Sequence, residues 1–184
     1  MRLFSLLVLA VVAAIPFAQA EDKKNPIVVF ETSEGSFEVE LYAANAPVTV
    51  ANFVQYVKDK QFDGTIFHRV IANFMIQGGG FTPDWQEKKT RDPIKNESGN
   101  GIENKKYNIA MARTNDLDSA TCQFYINTVD NPDLDKGKYC AFGKVVAGTE
   151  IVDKIRDGKV KRDPRGEPSM PLEPVVIKSA KLKE

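Results

Sequence analysis

Phe67-His68-Arg69-Val70-Ile71-Ala72-Asn73-Phe74-Met75-Ile76-Gln77-Gly78-Gly79-Gly80-Phe81 sets one histidine, one arginine and one glutamine among apolar residues, ahead of a glycine cluster. Ile66 to Ile71 and Phe74 to Gln77 have the composition of strands, with Ala72 and Asn73 as the turn between them, so the run predicts a hairpin. Side chains two apart share a strand face. That rule puts Phe67, Arg69 and Ile71 on one side and turns His68 to the other, where it reads as a hydrogen-bonded structural residue. Arginine is seldom placed beside groups such as Phe74 and Met75 without a partner or a task, which makes the hairpin the candidate active site.

Around this run the chain has 184 residues, 42% of them hydrophobic, enough for one globular domain with a real core. The formal net charge is +0, so there is no electrostatic footprint for nucleic acid or an anionic membrane. Met1 to Ala20 reads as a secretory signal peptide: Arg2, an apolar run from Leu3 to Ile15, and the small-x-small ending Ala18-Gln19-Ala20. The apolar run is too short to span a bilayer comfortably, so cleavage is favoured over anchoring, leaving 21–184 as the mature domain. Removing Arg2 leaves 24 basic against 25 acidic groups, or −1, and changes nothing in that conclusion. Lys181-Leu182-Lys183-Glu184 is not an ER-retention signal.

Farther along, Ile27 to Glu31 and Ser36 to Leu41 predict a hairpin in which Phe37, Val39 and Leu41 face inward and Glu38 and Glu40 face water. Pro47 opens an amphipathic helix to Lys58, with Val50, Phe53, Val54 and Val57 as its core stripe. Thr82 to Lys106 loses periodicity and reads as a long surface loop carrying Trp85, as lid or anchor. Ile109 to Ala112, Gln123 to Thr128, Tyr139 to Val145 and Val175 to Lys181 read as strands, and Glu150 to Arg156 as a second helix. With Gln123 to Thr128 and Tyr139 to Val145 paired as a hairpin, Cys122 and Cys140 sit about five positions out of register, too far for a disulfide. Short strands, two helices and one core predict a mainly β fold, a closed antiparallel barrel.

The opening run resembles the signature of the cyclophilins, the peptidyl-prolyl isomerases, in its Phe67-His68-Arg69 and Phe74-Met75-Ile76-Gln77-Gly78-Gly79 blocks. Ile109-Ala110-Met111-Ala112-Arg113 with Ser119-Ala120-Thr121-Cys122-Gln123-Phe124-Tyr125-Ile126 is similar to a second block of that family, and Ala141-Phe142-Gly143-Lys144-Val145 to a third. Three ordered blocks are far more specific than one pattern. Ile94-Lys95-Asn96-Glu97 and Ala110-Met111-Ala112-Arg113-Thr114 look like the bacterial branch; with the signal peptide this favours a Gram-negative periplasm. The resemblance spans roughly Pro26 to Lys181. It implies an eight-stranded cyclophilin-like barrel capped by two α-helices, a monomer with no cofactor and no metal, and proline-containing unfolded or extended polypeptides as partners.

It also implies roles. Arg69 is the catalytic donor to the prolyl nitrogen, Gln77 holds Arg69, and Phe74, Met75, Tyr125 and Leu134 line the proline pocket. Gln123 and the Ala112-Arg113 backbone grip the substrate, and Tyr139 and His68 count among the substrate-binding residues. An X-Pro bond resists rotation through amide resonance, with a barrier of about 18–20 kcal/mol, so an enzyme need only favour the twisted state, without metal, nucleotide or covalent intermediate. Arginine's permanent charge and rigid donor fork suit the task better than lysine. Tyr125 replaces the family's usual phenylalanine, so its hydroxyl needs a partner. Arg113 stands where many eukaryotic members have asparagine, and Asp133 where cyclosporin-sensitive members have tryptophan, which implies weak inhibition by that compound.

Other chemistry is poorly supplied. His68 is the only histidine, and no G-x-S-x-G elbow, Cys-His pairing or His-rich cluster is present. Gly78-Gly79-Gly80 lacks the Lys-Ser/Thr of a phosphate loop and suits a bulge or tight turn. Asp130, Asp133 and Asp135 with Gly137 approach a calcium loop, but the glycine falls one place late and Phe142 stands where the closing glutamate belongs. The remaining rival is a barrel that binds extended proline-containing segments as a chaperone, without turnover.

Overall fold

β1 (Ile27–Thr32) and β2 (Ser36–Leu41) show how alternation builds this sheet. Val28 and Phe30 of β1 and Phe37, Val39 and Leu41 of β2 are buried, and the residues between them face outward, as period-two patterning requires. The structure is a computed structural model and describes residues 25–184; the expected signal peptide lies outside the described residues. After α1 (Pro47–Lys58) come β3 (Phe67–Ile71), β4 (Met75–Gly78), β5 (Asn108–Met111) and β6 (Phe124–Asn127). Next are α2 (Pro132–Lys136), β7 (Ala141–Ala147), α3 (Thr149–Arg156), β8 (Val160–Arg162), β9 (Pro168–Pro171) and β10 (Ile177–Leu182).

Eight strands form one antiparallel sheet in the order β10-β1-β2-β7-β5-β6-β4-β3. It curls until its edges approach. Closure rests on a single bridge, Ile66 to Val176, flanked by Gly64 N–H to Ile177 O at 2.8 Å and Phe67 N–H to Val175 O at 3.0 Å. The expected closed barrel is therefore a curled sheet with a short seam. The core inside is aromatic: Phe53 of α1 lies 5.5 Å from Phe124 and 5.1 Å from Phe142, and Phe62 meets Phe124 edge-on at 5.4 Å. Such tilted and edge-on contacts are the arrangements aromatic quadrupoles favour.

The α1 amino terminus has no cap of its own, since Ala46 precedes Pro47. Glu97, from the long loop, supplies one: its carboxylate accepts from Val48 N–H at 3.1 Å and Thr49 N–H at 2.8 Å. A carboxylate there satisfies orphan donors and complements the helix dipole.

Four expectations change. A third helix, α2, appears within 128–140, and a small hairpin, β8 with β9, occupies a stretch given no element from the sequence. β6 and β7 are not a hairpin, because β5 pairs with both and lies between them. Cys122 and Cys140 are buried free thiols, as expected, although the hairpin from which that was argued does not form. Finally, the β3–β4 turn includes Phe74, so Ile71 pairs with Met75.

Candidate active site

The β3–β4 ladder carries an irregularity. Phe67 opposes Gly78 but Arg69 opposes Gln77, so His68 is an extra residue, a bulge. Phe67 and Val70 consequently face the aromatic core, while Arg69 and Ile71 face out. The expected grouping of Phe67 with Arg69 and Ile71 fails for this reason. So does the expectation that His68 points away from Arg69: the bulge brings both to one cleft.

That cleft, about 760 Å³, is lined by His68, Arg69, Phe74, Met75, Gln77, Ala112, Arg113, Tyr125, Leu134 and Tyr139. Of the catalytic and substrate-binding residues expected from the sequence only Gln123 is not among its lining, and Gln123 is tied to it through Gln77, whose Nε2 donates to Gln123 Oε1 at 2.9 Å. The floor is a small apolar cluster of Met75, Ala110, Tyr125 and Ala141, with Ile71, Phe74, Ala112, Leu134 and Tyr139 packed around it. The Tyr125 hydroxyl finds its partner in Asn104, donating to Oδ1 at 2.8 Å, and burial pushes its ionisation far above the usual range. Gly80 makes room for Gln123, since a Cβ there would come within 2.6 Å of Gln123 Cγ. Part of the glycine cluster thus serves close approach as well as turning.

Arg69 sits at the cleft with its Cζ 5.7 Å from the Phe74 ring centroid. Its holder is not Gln77. Nε donates to Glu167 Oε2 at 2.9 Å and Nη2 to Glu167 Oε1 at 3.0 Å, a fork-on-fork pair, while Nη1 points at Met75 Sδ, 3.9 Å away. Gln77 is engaged with Gln123 instead. Glu167 begins the return arm of the β8–β9 hairpin and was missed because that stretch has no apolar period; the turn signal Asp163-Pro164-Arg165-Gly166 was its only cue. Hydrogen bonding from Arg69 holds the Glu167 carboxyl below the usual range.

His68 is neutral at pH 7. Burial, helped by the neighbouring Arg69 charge, lowers its pKa to about 4. Its ring meets Phe81 edge-on at 4.8 Å and its buried Nδ1 has no close hydrogen-bond partner, the Ile66 backbone being the one group that opposes the lowering. Phe81, Trp85, Asp163, Pro164, Arg165, Ser169 and Met170 complete the cleft wall. Arg113 lies over Tyr139, its Cζ 4.2 Å from the ring centroid, and donates to the carbonyls of Thr114 and Gly137. Asp133 is exposed and paired with Lys136, not part of the cleft lining.

A second groove of about 790 Å³ lies on the other side of β3 and β9, lined by Phe67, Val70, Pro171 and the carboxylates of Glu34, Glu150, Asp153, Asp157 and Glu173. It has no arginine and none of the catalytic or substrate-binding residues expected from the sequence. The Arg69 cleft is therefore the candidate site: an apolar cup, a guanidinium at its side, and amide groups along the adjacent edge.

The family description "cyclophilin type peptidyl-prolyl cis-trans isomerase" matches residues 27–182. A peptidyl-prolyl cis-trans isomerase of Streptomyces antibioticus is 51% identical over 162 residues, covering 84% of this chain and 97% of that protein. Peptidyl-prolyl cis-trans isomerase B of Escherichia coli strain K12 is 43% identical over 165 residues, covering 86% and 100%. Among solved structures, a cyclophilin-type isomerase of Cryptosporidium parvum aligns with TM-score 0.72 at 22% identity, over 87% of this chain and 98% of that one. By fold, site and similarity alike, this chain belongs to the cyclophilin-type peptidyl-prolyl cis-trans isomerases and is an enzyme of that class.

Proposed function

We propose that the enzyme accelerates rotation of X-Pro bonds in unfolded or extended polypeptides of the periplasm, with Arg69 as the donor that favours the twisted state. As the bond twists, the prolyl nitrogen recovers its lone pair and becomes an acceptor. A guanidinium N–H already aimed there stabilises that state more than either planar one, and about 1.4 kcal/mol of such preference multiplies the rate tenfold. The proline ring fills the cup of Phe74, Met75, Tyr125 and Leu134. Gln123 and the Ala112-Arg113 backbone lie along the flanking chain as an adjacent strand would, and His68 and Tyr139 border it. His68, neutral, adds no second charge.

The observation that carries this reading is the pairing of a forked, immobilised Arg69 with the apolar floor of Met75 and Tyr125 in one cleft. A protease-coupled assay on a proline tetrapeptide with wild type and Arg69→Ala tests it. The expected result is a loss of roughly a hundredfold in kcat/KM; equal rates would leave only a binding role. Export rests on Met1 to Ala20 and the bacterial relatives, and cell fractionation with and without that segment tests it.

A further inference from the structure

We infer that Glu167 is the positioning residue of the isomerase reaction: its carboxylate, carried by the β8–β9 hairpin, sets the orientation of the Arg69 guanidinium toward the substrate. The inference rests on the reading of Arg69 as the catalytic donor. Arginine has five N–H donors on a side chain with many rotamers, so a catalytic arginine needs something that fixes which donors face the substrate. Glu167 takes Nε–H and one Nη2–H, at 2.9 and 3.0 Å. The donors that remain, Nη1 beside Met75 Sδ and the second Nη2–H, are those available to a chain lying in the cleft.

An exposed ion pair alone would be weak evidence, because two flexible side chains give up entropy to meet and water screens them. Three observations lift this pair above that case. The geometry is bidentate, and the two side chains are only 25% and 36% exposed. The carboxylate's backbone is anchored: Asp163 N–H donates to Glu167 O at 2.7 Å, Glu167 N–H donates to Asp163 Oδ1 at 2.9 Å, and Gly166 N–H donates to Asp163 O at 2.9 Å. Gly166 turns at φ +89°, with Pro164 and Pro168 fixing φ on either side, so the loop reaches Arg69 already shaped. The third is the engagement of Gln77 with Gln123, which leaves Glu167 as the sole side-chain carboxylate or amide hydrogen-bonded to Arg69 among the described residues. Arg165 also approaches Glu167 Oε2, at 3.9 Å, but its side chain is 75% exposed and its closer partner is Asp163.

A positioning role and a merely structural one differ in a double-mutant cycle. Wild type, Glu167→Gln, Arg69→Ala and the double variant are compared for kcat and KM on a proline tetrapeptide, with Glu167→Asp added as the conservative variant. Glu167→Gln is expected to lower kcat roughly tenfold with KM within about twofold, to have no effect in the Arg69→Ala background, and to be partly rescued by Asp. An equal loss in both backgrounds, an unchanged kcat, or a faster enzyme, which would make the carboxylate a competitor for the donor, each overturns the inference. If Arg69→Ala itself turns over at the wild-type rate, the reading of Arg69 fails instead, and the two failures are distinct.

Discussion

Strands β4 and β6 present two surfaces made by the same alternation. Ile76, Phe124 and Ile126 point into the sheet's interior and are fully buried among Phe30, Phe53 and Phe62; Met75, Gln77 and Tyr125 point outward into the Arg69 cleft. The inner face is sealed by α1 and has no polar work to do. The outer face is floored by a four-residue apolar cluster and walled by loops and a hairpin. Three of its polar side chains are each met by another, Tyr125 by Asn104, Gln77 by Gln123 and Arg69 by Glu167, while His68 Nδ1 is left without one. Core packing is thus concentrated on one side of a strand and the candidate site lies on the other, so substitutions on the two sides should separate cleanly.

The largest effect is expected inside. Phe124→Ala removes a fully buried ring in contact with four others and should cost about 3–5 kcal/mol in denaturant unfolding. Phe74→Ala, on the half-exposed side, should cost far less stability while lowering kcat/KM; comparable destabilisation by both would erase the distinction between the faces.

Next comes an acid effect from the outer face. The unfolded chain protonates His68 near 6.5 and the folded protein only near 4, so the folded state binds fewer protons between those values. Stability is full above pH 6.5, falls as pH drops toward 4, and loses up to roughly 3 kcal/mol through this group. His68→Gln should flatten that window, as read by unfolding midpoints at pH 7 and pH 4.5. Glu167 acts in the same direction at lower pH: its depressed carboxyl favours folding above its unfolded value and loses that contribution as the folded carboxyl protonates.

Smallest is Tyr125→Phe. It deletes one buried hydrogen bond, but Asn104 Oδ1 still accepts from Asn127 Nδ2 at 3.2 Å, so about 1 kcal/mol is expected. A loss of several kcal/mol would mean the pocket floor depends on its polar network more than on its apolar packing.

The inner face is legible in the sequence because burial writes itself as a period: Phe37, Val39 and Leu41 in β2, and Val50, Phe53 and Val57 in α1, recur at the spacing of their elements and are buried. The cup was legible through the run around Arg69 and the resemblance it carried. What stayed hidden was set by backbone geometry and distant pairing. The bulge that turns His68 into the cleft leaves no mark in the pattern, and β5 slips between β6 and β7 through long-range hydrogen bonds that no local window contains. Glu167 was hidden by its own stiffness, since Pro164, Pro168 and Pro171 break the alternation by which a strand is recognised.

The outer face's claim to catalysis meets its most direct test in exchange NMR on a proline tetrapeptide, which reads cis–trans interconversion of the prolyl resonances at substoichiometric protein. Wild type is expected to produce strong exchange cross-peaks. Arg69→Ala is expected to leave interconversion near its spontaneous rate while the peptide still shifts cleft resonances. Undiminished exchange with Arg69→Ala would contradict the assignment of the guanidinium as the donor that turns the bond.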